Sequence, residues 1–164
     1  MRVQPTGPSD AKIALIGEAP GHEEEFEGTP FVGSSGQELR RMAAMAGIDI
    51  TETYRTNVFH DRPPSNKFHA EWCRSKTVVS EAYADLRPTL EKSHSEVDWP
   101  ERYTWGLIAQ GKYLLPQYLP EVYRLRREIE ALRPNIAVAL GGTALWALIN
   151  QGGISKLRGT PIIS

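Results

Sequence analysis

A glycine- and proline-rich stretch, GEAPGHEEEFEGTPFVGSSG at residues 17–36, holds the side chains of this sequence that are best placed for chemistry. It sets one glutamate, Glu18, inside a Gly–Pro turn and follows it with four more acids before an apolar PFVG segment. Loops with such backbone residues are where binding and catalytic sites are commonly built, and a carboxylate there can orient water. The alternative is a tight turn followed by a solvated acidic loop.

Strands and helices alternate along the chain on both sides of this stretch. Short apolar runs predict strands at residues 12–16, 53–59 and 136–140, with a fourth beginning at 162–163. Helical spacing predicts helices at 37–46 and 121–132 and another opened by Gly141-Gly142-Thr143, and it places Leu39, Met42, Ala43 and Ala46 on one helix face. The alternation predicts an α/β fold, a three-layer α/β/α arrangement with a central parallel four-stranded sheet whose fourth strand is only begun.

In a parallel α/β sheet, ligands bind beyond the carboxyl ends of the strands. The turns at residues 17–21, 59–66 and 141–142 all fall at that edge of the predicted sheet. Three separate parts of the chain are therefore expected to converge on one crevice, which favours a site over a solvated loop.

Composition limits the classes of protein to which the chain can belong. Its 164 residues predict one domain, residues 1–164, and the net charge of −1 argues against a protein that coats nucleic acid through bulk charge. The single cysteine, Cys73, rules out an internal disulfide and a four-cysteine zinc or iron–sulfur site within this chain. Residues 1–10 read as a loose leader without an apolar core, and the cytoplasm is the expected compartment, with no membrane partner.

Residues 67–118 differ from the rest of the sequence, with weak periodicity and three of the four tryptophans. We interpret them as an insertion packed on the sheet. Trp99, Tyr103 and Trp105 could stack on nucleic-acid bases, but core packing of the insertion is the favoured interpretation.

Three segments of the chain resemble one known family, in the correct order. GEAPGHEEEFEGTPFVGSSGQEL resembles the first motif of the uracil-DNA glycosylase superfamily in its thermostable iron–sulfur branch, YRTNVFHDRPPSNK its second segment, and IEALRPNIAVALGGTALWALI with ISKLRG its third strand, helix and loop. The resemblance covers about residues 12–66 and 119–160. The segment GKYLLPQYLPEVYRLRREIEALRPN, together with the insertion, looks most like phage-encoded members.

The resemblance implies hydrolysis of the N-glycosidic bond of deoxyuridine in single- or double-stranded DNA, as in base excision repair, without a cofactor. Such an enzyme must swing the target nucleotide into a pocket. By the resemblance, Glu18 is the catalytic carboxylate, which orients water near C1′ and stabilises the developing sugar cation. Only one carboxylate is needed, because uracil leaves as a stabilised anion.

The resemblance also assigns the groups that bind the base. Phe31 would stack on the base, and Asn57 would read the uracil edge, because an amide offers both an acceptor and donors. Ala19 would contact the base, and the turn residues would allow close approach of the backbone: Gly17, Pro20 and Gly21. The alternatives are a core phenylalanine for Phe31 and a turn-capping role for Asn57.

Basic and polar residues near the predicted crevice are candidates for contacts to DNA phosphates: Arg62, Asn66, Lys156 and Arg158. The alternative for each basic cluster, including Arg124 with its neighbours, is a solvated face. The acids Glu23, Glu24, Glu25 and Glu27 are predicted to be solvated or to favour the first turn of a helix, and no metal site is expected. A tyrosine that blocks thymine in the best-known branch is replaced here by Gly21.

The chain departs from the family pattern in two places. It has one cysteine where the iron–sulfur branch uses four, so no cluster is expected. No His-Pro pair occurs in the 164 residues, although the superfamily's last motif contains one, so we expect the C-terminal part of the fold to be missing and this form to be weak or inactive.

Two alternatives stay open beside the enzyme. One is a non-catalytic DNA-binding or replication-accessory module that keeps the fold and has replication proteins as partners. The other is a glycosylase-like enzyme that acts on a modified pyrimidine. A phage-encoded protein would act in the host cytoplasm.

Overall fold

A parallel sheet flanked by helices forms the centre of the protein in the computed structural model, which describes residues 2–79, 81, 107–109, 112–149 and 154–162. The strands are β1 (Ile13–Gly17), β2 (Tyr54–Asn57), β3 (Cys73–Arg74), β4 (Leu107–Ala109), β5 (Lys112–Leu114) and β6 (Ile136–Ala139). The α-helices are α1 (His22–Glu27), α2 (Ser34–Met45), α3 (Phe68–Glu71), α4 (Leu119–Leu132), α5 (Gly142–Ile149) and α6 (Ile154–Leu157).

The central sheet has the strand order β2-β1-β6, and both of its strand pairs are parallel. Ala14 and Ile16 of the middle strand are fully buried, as expected for a strand covered on both faces. The predicted three-layer α/β/α fold is thus confirmed. Of the predicted fourth strand, Ile162 is not in a strand and Ile163 lies outside the described residues.

Helix α4 follows the predicted amphipathic pattern. Val122 and Leu125 are fully buried, and the helix ends at Leu132, followed by Arg133 in a left-handed conformation before Pro134. The helix starts two residues earlier than the periodicity predicts, because Pro120 is well suited to a first helical turn. Among the described residues, no helix is both long enough and apolar enough to cross a bilayer.

A small antiparallel sheet, with the order β3-β5-β4, lies in the region predicted as an insertion. Trp72 is 6% exposed there and packs edge-on against Phe59 at a centroid distance of 5.1 Å and stacks on Tyr118 at 4.6 Å. Trp99, Tyr103 and Trp105 lie outside the described residues, so the choice between stacking and core packing stays a prediction for them.

The start of the chain is ordered against β2, so the prediction of a loose leader is wrong for residues 3–6. The backbones of Thr6 and Arg55 exchange two hydrogen bonds of 2.9 and 2.7 Å. The N–H of Val3, which is 2% exposed, donates to the carbonyl of His60 at 2.8 Å. The prediction failed because these residues have no apolar periodicity, and their order comes from pairing with the outer edge of β2.

Helix α2 buries only part of the predicted face. Gly36 and Ala43 are buried, whereas Met42 is 56% exposed and Ala46 is also exposed. The predicted face is thus confirmed at Ala43 and wrong at Met42 and Ala46, while Gly36, outside that face, packs against the backbone of Phe31. Met42 instead borders the cleft described below.

Candidate active site

The site begins where β1 and β2 end side by side. Gly17 pairs with Asn57 in the sheet register. The pairing continues past the sheet, because the N–H of Val58 donates to the carbonyl of Gly17 at 2.9 Å and the N–H of Phe59 to that of Glu18 at 3.0 Å. The Gly–Pro turn and the end of β2 are therefore held together by backbone hydrogen bonds.

An open cleft of about 630 Å³ lies beyond these strand ends. The predicted site residues that line it are Gly17, Glu18, Ala19, Pro20, Gly21, Phe31, Asn57 and Asn66. Leu140, just after β6, also lines it, so the cleft is bordered by parts of the first two predicted turns and by the residue that precedes the third. The structure thus brings these residues together, while the roles assigned to them stay predictions.

Asn57 is 4% exposed, yet its side-chain amide has no hydrogen-bond partner among the described residues. A turn-capping role would require such a bond. Buried amides are normally satisfied, so an unpaired amide at the wall of a cleft is available to a ligand.

Arg124 of α4 fixes the backbone at Asn57. Its Nη2 donates to the carbonyls of Asn57 at 2.7 Å and Val58 at 2.8 Å, and its guanidinium also pairs with Glu121 and Glu128. The sequence assigned Arg124 only to a basic cluster. Its side chain is 22% exposed and makes at least four contacts, so it is a structural residue behind the cleft and not a solvated one.

Phe31 has a left-handed backbone with φ of 60°, which is uncommon for a bulky residue and typical of functional sites. Arg40 stabilises this conformation, since its Nη1 donates to the Phe31 carbonyl at 2.8 Å. Gly36 makes room for it, because any side chain there would overlap the Phe31 backbone. The Phe31 ring lies over Gly17, next to the Asn57 amide.

Glu18 is half-buried and is hydrogen-bonded to Thr143, a residue that the sequence analysis did not assign to the site. The Thr143 hydroxyl, in the first turn of α5, donates to Glu18 Oε2 at 2.5 Å. Thr143 is 3% exposed. The only signal in the sequence was the position of Thr143 just after the third predicted strand, at the converging edge.

Glu24 lies in the first turn of α1, so the predicted first-turn position is confirmed, but it is buried and not solvated. Its carboxylate accepts from the N–H of Gly21 at 3.0 Å and from the N–H of Gly33 at 2.8 Å. Glu24 thus joins the Gly–Pro turn to the loop that carries Phe31. The spacing of Gly21 and Glu24, an N-cap residue and the third residue of the helix, was the available signal.

Comparison with known proteins assigns the chain that carries this cleft to a family. The family model of the Uracil DNA glycosylase superfamily matches residues 4–162. This chain belongs to that superfamily. It is 31% identical over 158 residues to the type-4 uracil-DNA glycosylase of Thermotoga maritima, covering 95% of this chain and 59% of the relative. It is also 31% identical over 144 residues to the type-4 uracil-DNA glycosylase of Archaeoglobus fulgidus, covering 88% of this chain and 50% of the relative.

The chain therefore spans between half and three-fifths of the length of these two relatives. A shorter match, 44% identical over 62 residues, links 37% of this chain to the type-4 uracil-DNA glycosylase of Saccharolobus solfataricus.

The candidate phosphate-binding residues of this superfamily member lie in two places. Arg62 does not itself line the cleft but contacts a residue that does, since its Nε donates to Asn66 Oδ1 at 2.6 Å, and its Nη1 pairs with Glu25 at 3.2 Å. Lys156 and Arg158 are exposed and do not line the cleft. Their contact with phosphates stays a prediction.

Within the described part of this superfamily member, no group of three or more His, Cys, Asp or Glu side chains is placed to hold a metal ion. Cys73 is buried in the core. Burial raises the pKa of its thiol to about 12, and the nearby negative charge of Glu18 adds to the effect. The thiol is thus uncharged at neutral pH.

Proposed function

We propose that this protein is a uracil-DNA glycosylase that hydrolyses the N-glycosidic bond of deoxyuridine in DNA. The observation that carries the proposal is the cleft in which the unpaired amide of Asn57, the ring of Phe31 and the carboxylate of Glu18 meet. Membership of the superfamily and the names of the relatives support it.

In the proposed reaction, the flipped base stacks on Phe31 and Asn57 pairs with its edge. Uracil presents an N3–H donor and an O4 acceptor, and an amide complements both. Cytosine presents the reverse pattern at these two positions, so a fixed Asn57 would discriminate between the two bases.

Glu18 would act on the sugar side of the base. The N1–C1′ bond breaks with its electron pair leaving on uracil, and a water oxygen bonds to C1′ while Glu18 orients that water and takes its proton. A positioned base of this kind contributes about 10²–10⁴-fold. The N-terminal end of α5 beside Glu18 favours a negative charge there.

The test is excision from matched single- and double-stranded oligonucleotides that carry uracil or cytosine, read out by alkaline cleavage of abasic sites. Glu18→Gln should lower turnover by about 10²-fold or more. Asn57→Ala should cost about ten- to a hundredfold. Asn57→Asp should lose more than Asn57→Ala, because an ionised carboxylate offers only acceptors to uracil O4.

Asn135→Asp is the matched control, since it makes the same change at an exposed residue just before β6, at the opposite edge of the sheet. It should keep the wild-type rate. Wild-type excision by both Asn57 variants would contradict the base-reading role. Binding of uracil-containing DNA without any excision, both by this chain and by a form extended with a His-Pro segment, would instead support the non-catalytic DNA-binding module.

A modified pyrimidine is the second candidate substrate, because Gly21 brings no side chain to the cleft wall where the resemblance would place a thymine-blocking group. Oligonucleotides with thymine and with 5-substituted uracils test it. Excision of a 5-substituted base at a higher rate than uracil would favour this candidate.

A further inference from the structure

The bond between Thr143 and Glu18 joins two residues that are 125 positions apart in the sequence. A carboxylate can only accept and a threonine hydroxyl can donate, so the direction of this 2.5 Å bond is fixed when Glu18 is ionised. No described residue donates to the other carboxylate oxygen, Oε1, although Glu18 lines the cleft. Within the described residues, Oε2 of Glu18 is therefore hydrogen-bonded and Oε1 is not.

Both partners of this hydrogen bond lie in or next to regular secondary structure. Glu18 follows β1 directly, and Thr143 is in the first turn of α5. The chain between β6 and α5 is tied to β1, because the N–H of Leu140 donates to the carbonyl of Ile16 at 2.8 Å. The start of α5 is thus anchored to the strand that Glu18 follows, three residues before Thr143.

We propose that Thr143 is a positioning residue, which fixes Oε2 of Glu18 so that Oε1 is presented to the attacking water. This inference rests on the proposed function of the same cleft. Fixing one oxygen removes rotation of the carboxylate, which the reaction would otherwise have to restrict in its transition state. The effect falls on turnover rather than on substrate binding.

A purely structural role is the competing explanation, in which the bond only satisfies a buried hydroxyl. Three variants separate the two. Thr143→Val removes the hydroxyl and keeps the shape, Thr143→Ser keeps the hydroxyl, and Thr51→Val is the matched control. Thr51 also donates from its hydroxyl to a carboxylate, that of Asp49 at 2.7 Å, but it is exposed and does not line the cleft.

The experiment measures kcat, KM and Tm of these variants on uracil-containing single strands. Thr143→Val should lower kcat about tenfold or more with KM changed less than about twofold, and Thr143→Ser should recover most of the rate. Thr51→Val should keep the wild-type kcat. Wild-type kcat in Thr143→Val, or a fall in Tm with an unchanged rate per folded molecule, would overturn the proposal.

Crystal structures of the wild type, Thr143→Val and Thr143→Ser provide a readout independent of activity. The Glu18 carboxylate should turn away from its wild-type orientation, or occupy several, in Thr143→Val and should keep it in Thr143→Ser. An unchanged carboxylate in Thr143→Val would overturn the positioning role. Lack of excision by this chain and by a form extended with a His-Pro segment would contradict the proposed function, whereas the orientation of Glu18 would still decide the role of Thr143.

Discussion

Replacing Gly17 by alanine tests whether the side chains of Asn57 and Phe31 both pack against Gly17. An added methyl group would overlap Asn57 Oδ1 and would come 3.0 Å from Cζ and 3.1 Å from Cε1 of the Phe31 ring. Ordinary contacts of this kind lie at 3.4–4 Å, so both side chains must move. Gly17 does not have a positive φ, so alanine brings no backbone strain of its own.

The magnitude follows from the overlap. Overpacking of this kind costs about 1–3 kcal/mol. If the cost is paid in the transition-state complex, because the two side chains are displaced there, the rate of uracil excision falls about 5- to 150-fold. The same cost expressed as lost stability would lower the Tm by several degrees, so both quantities must be measured.

The assay compares single-turnover excision and Tm for Gly17→Ala and the wild type. Gly142→Ala is the stability control, because a methyl group there would lie 3.9 Å from Ile154 Cγ2 in ordinary contact, and it should keep the wild-type Tm. A wild-type rate together with a wild-type Tm in Gly17→Ala would refute the packing argument. A large fall in Tm with an unchanged rate per folded molecule would show that Gly17 serves only the core.

Three further predictions concern stability and composition. Glu24→Gln should lower the free energy of unfolding by about 1–3 kcal/mol, because the backbone N–H of Gly21 or of Gly33 would then face an amide donor. Glu27→Gln, at an exposed position of α1, is the control and should have little effect in the same denaturant titration. Burial lowers the pKa of His60 to about 4. Between pH 6.5 and pH 4 the unfolded chain therefore binds a proton at this histidine that the folded chain does not bind. Stability that is present above pH 6.5 is consequently lost as the pH falls toward 4. The loss between pH 7.5 and pH 5 should be roughly 2 kcal/mol and should shrink in His60→Gln, and an equal loss in both proteins would contradict the assignment. Anaerobically purified protein should be colourless, because one buried cysteine cannot supply the four thiolates of a cluster, and a brown preparation with about four irons per chain would contradict this.

The sequence predicted the strand ends to within two residues and therefore the place of the cleft. Short apolar runs ended by glycine or proline identify buried parallel strands, and parallel strands end at a common edge, so Glu18 and Asn57 could be expected near one another. Phe31 could be placed only through the resemblance of its motif to a family.

The contacts inside the cleft could not be predicted in the same way. The bond of Thr143 to Glu18 depends on how α5 docks on β1, which periodicity does not encode. Glu24 was misread because a charged residue on a short helix is usually solvated, and its burial follows from two backbone N–H groups in different loops. Met42 was misread because helical spacing identifies an apolar face without showing that part of this face borders an open cleft.

The pairing of residues 3–6 with β2 makes the beginning of the chain a reporter on the strand that ends in Asn57. Amide hydrogens engaged in such pairing exchange with solvent only when the pair opens. The amides of Val3 and Thr6 donate to His60 and Arg55, so they are protected from exchange only while this strand keeps its place. Deuterium uptake in the N-terminal peptide would therefore register loosening of the strand that ends in Asn57, in a peptide that contains none of the substituted residues of the cleft.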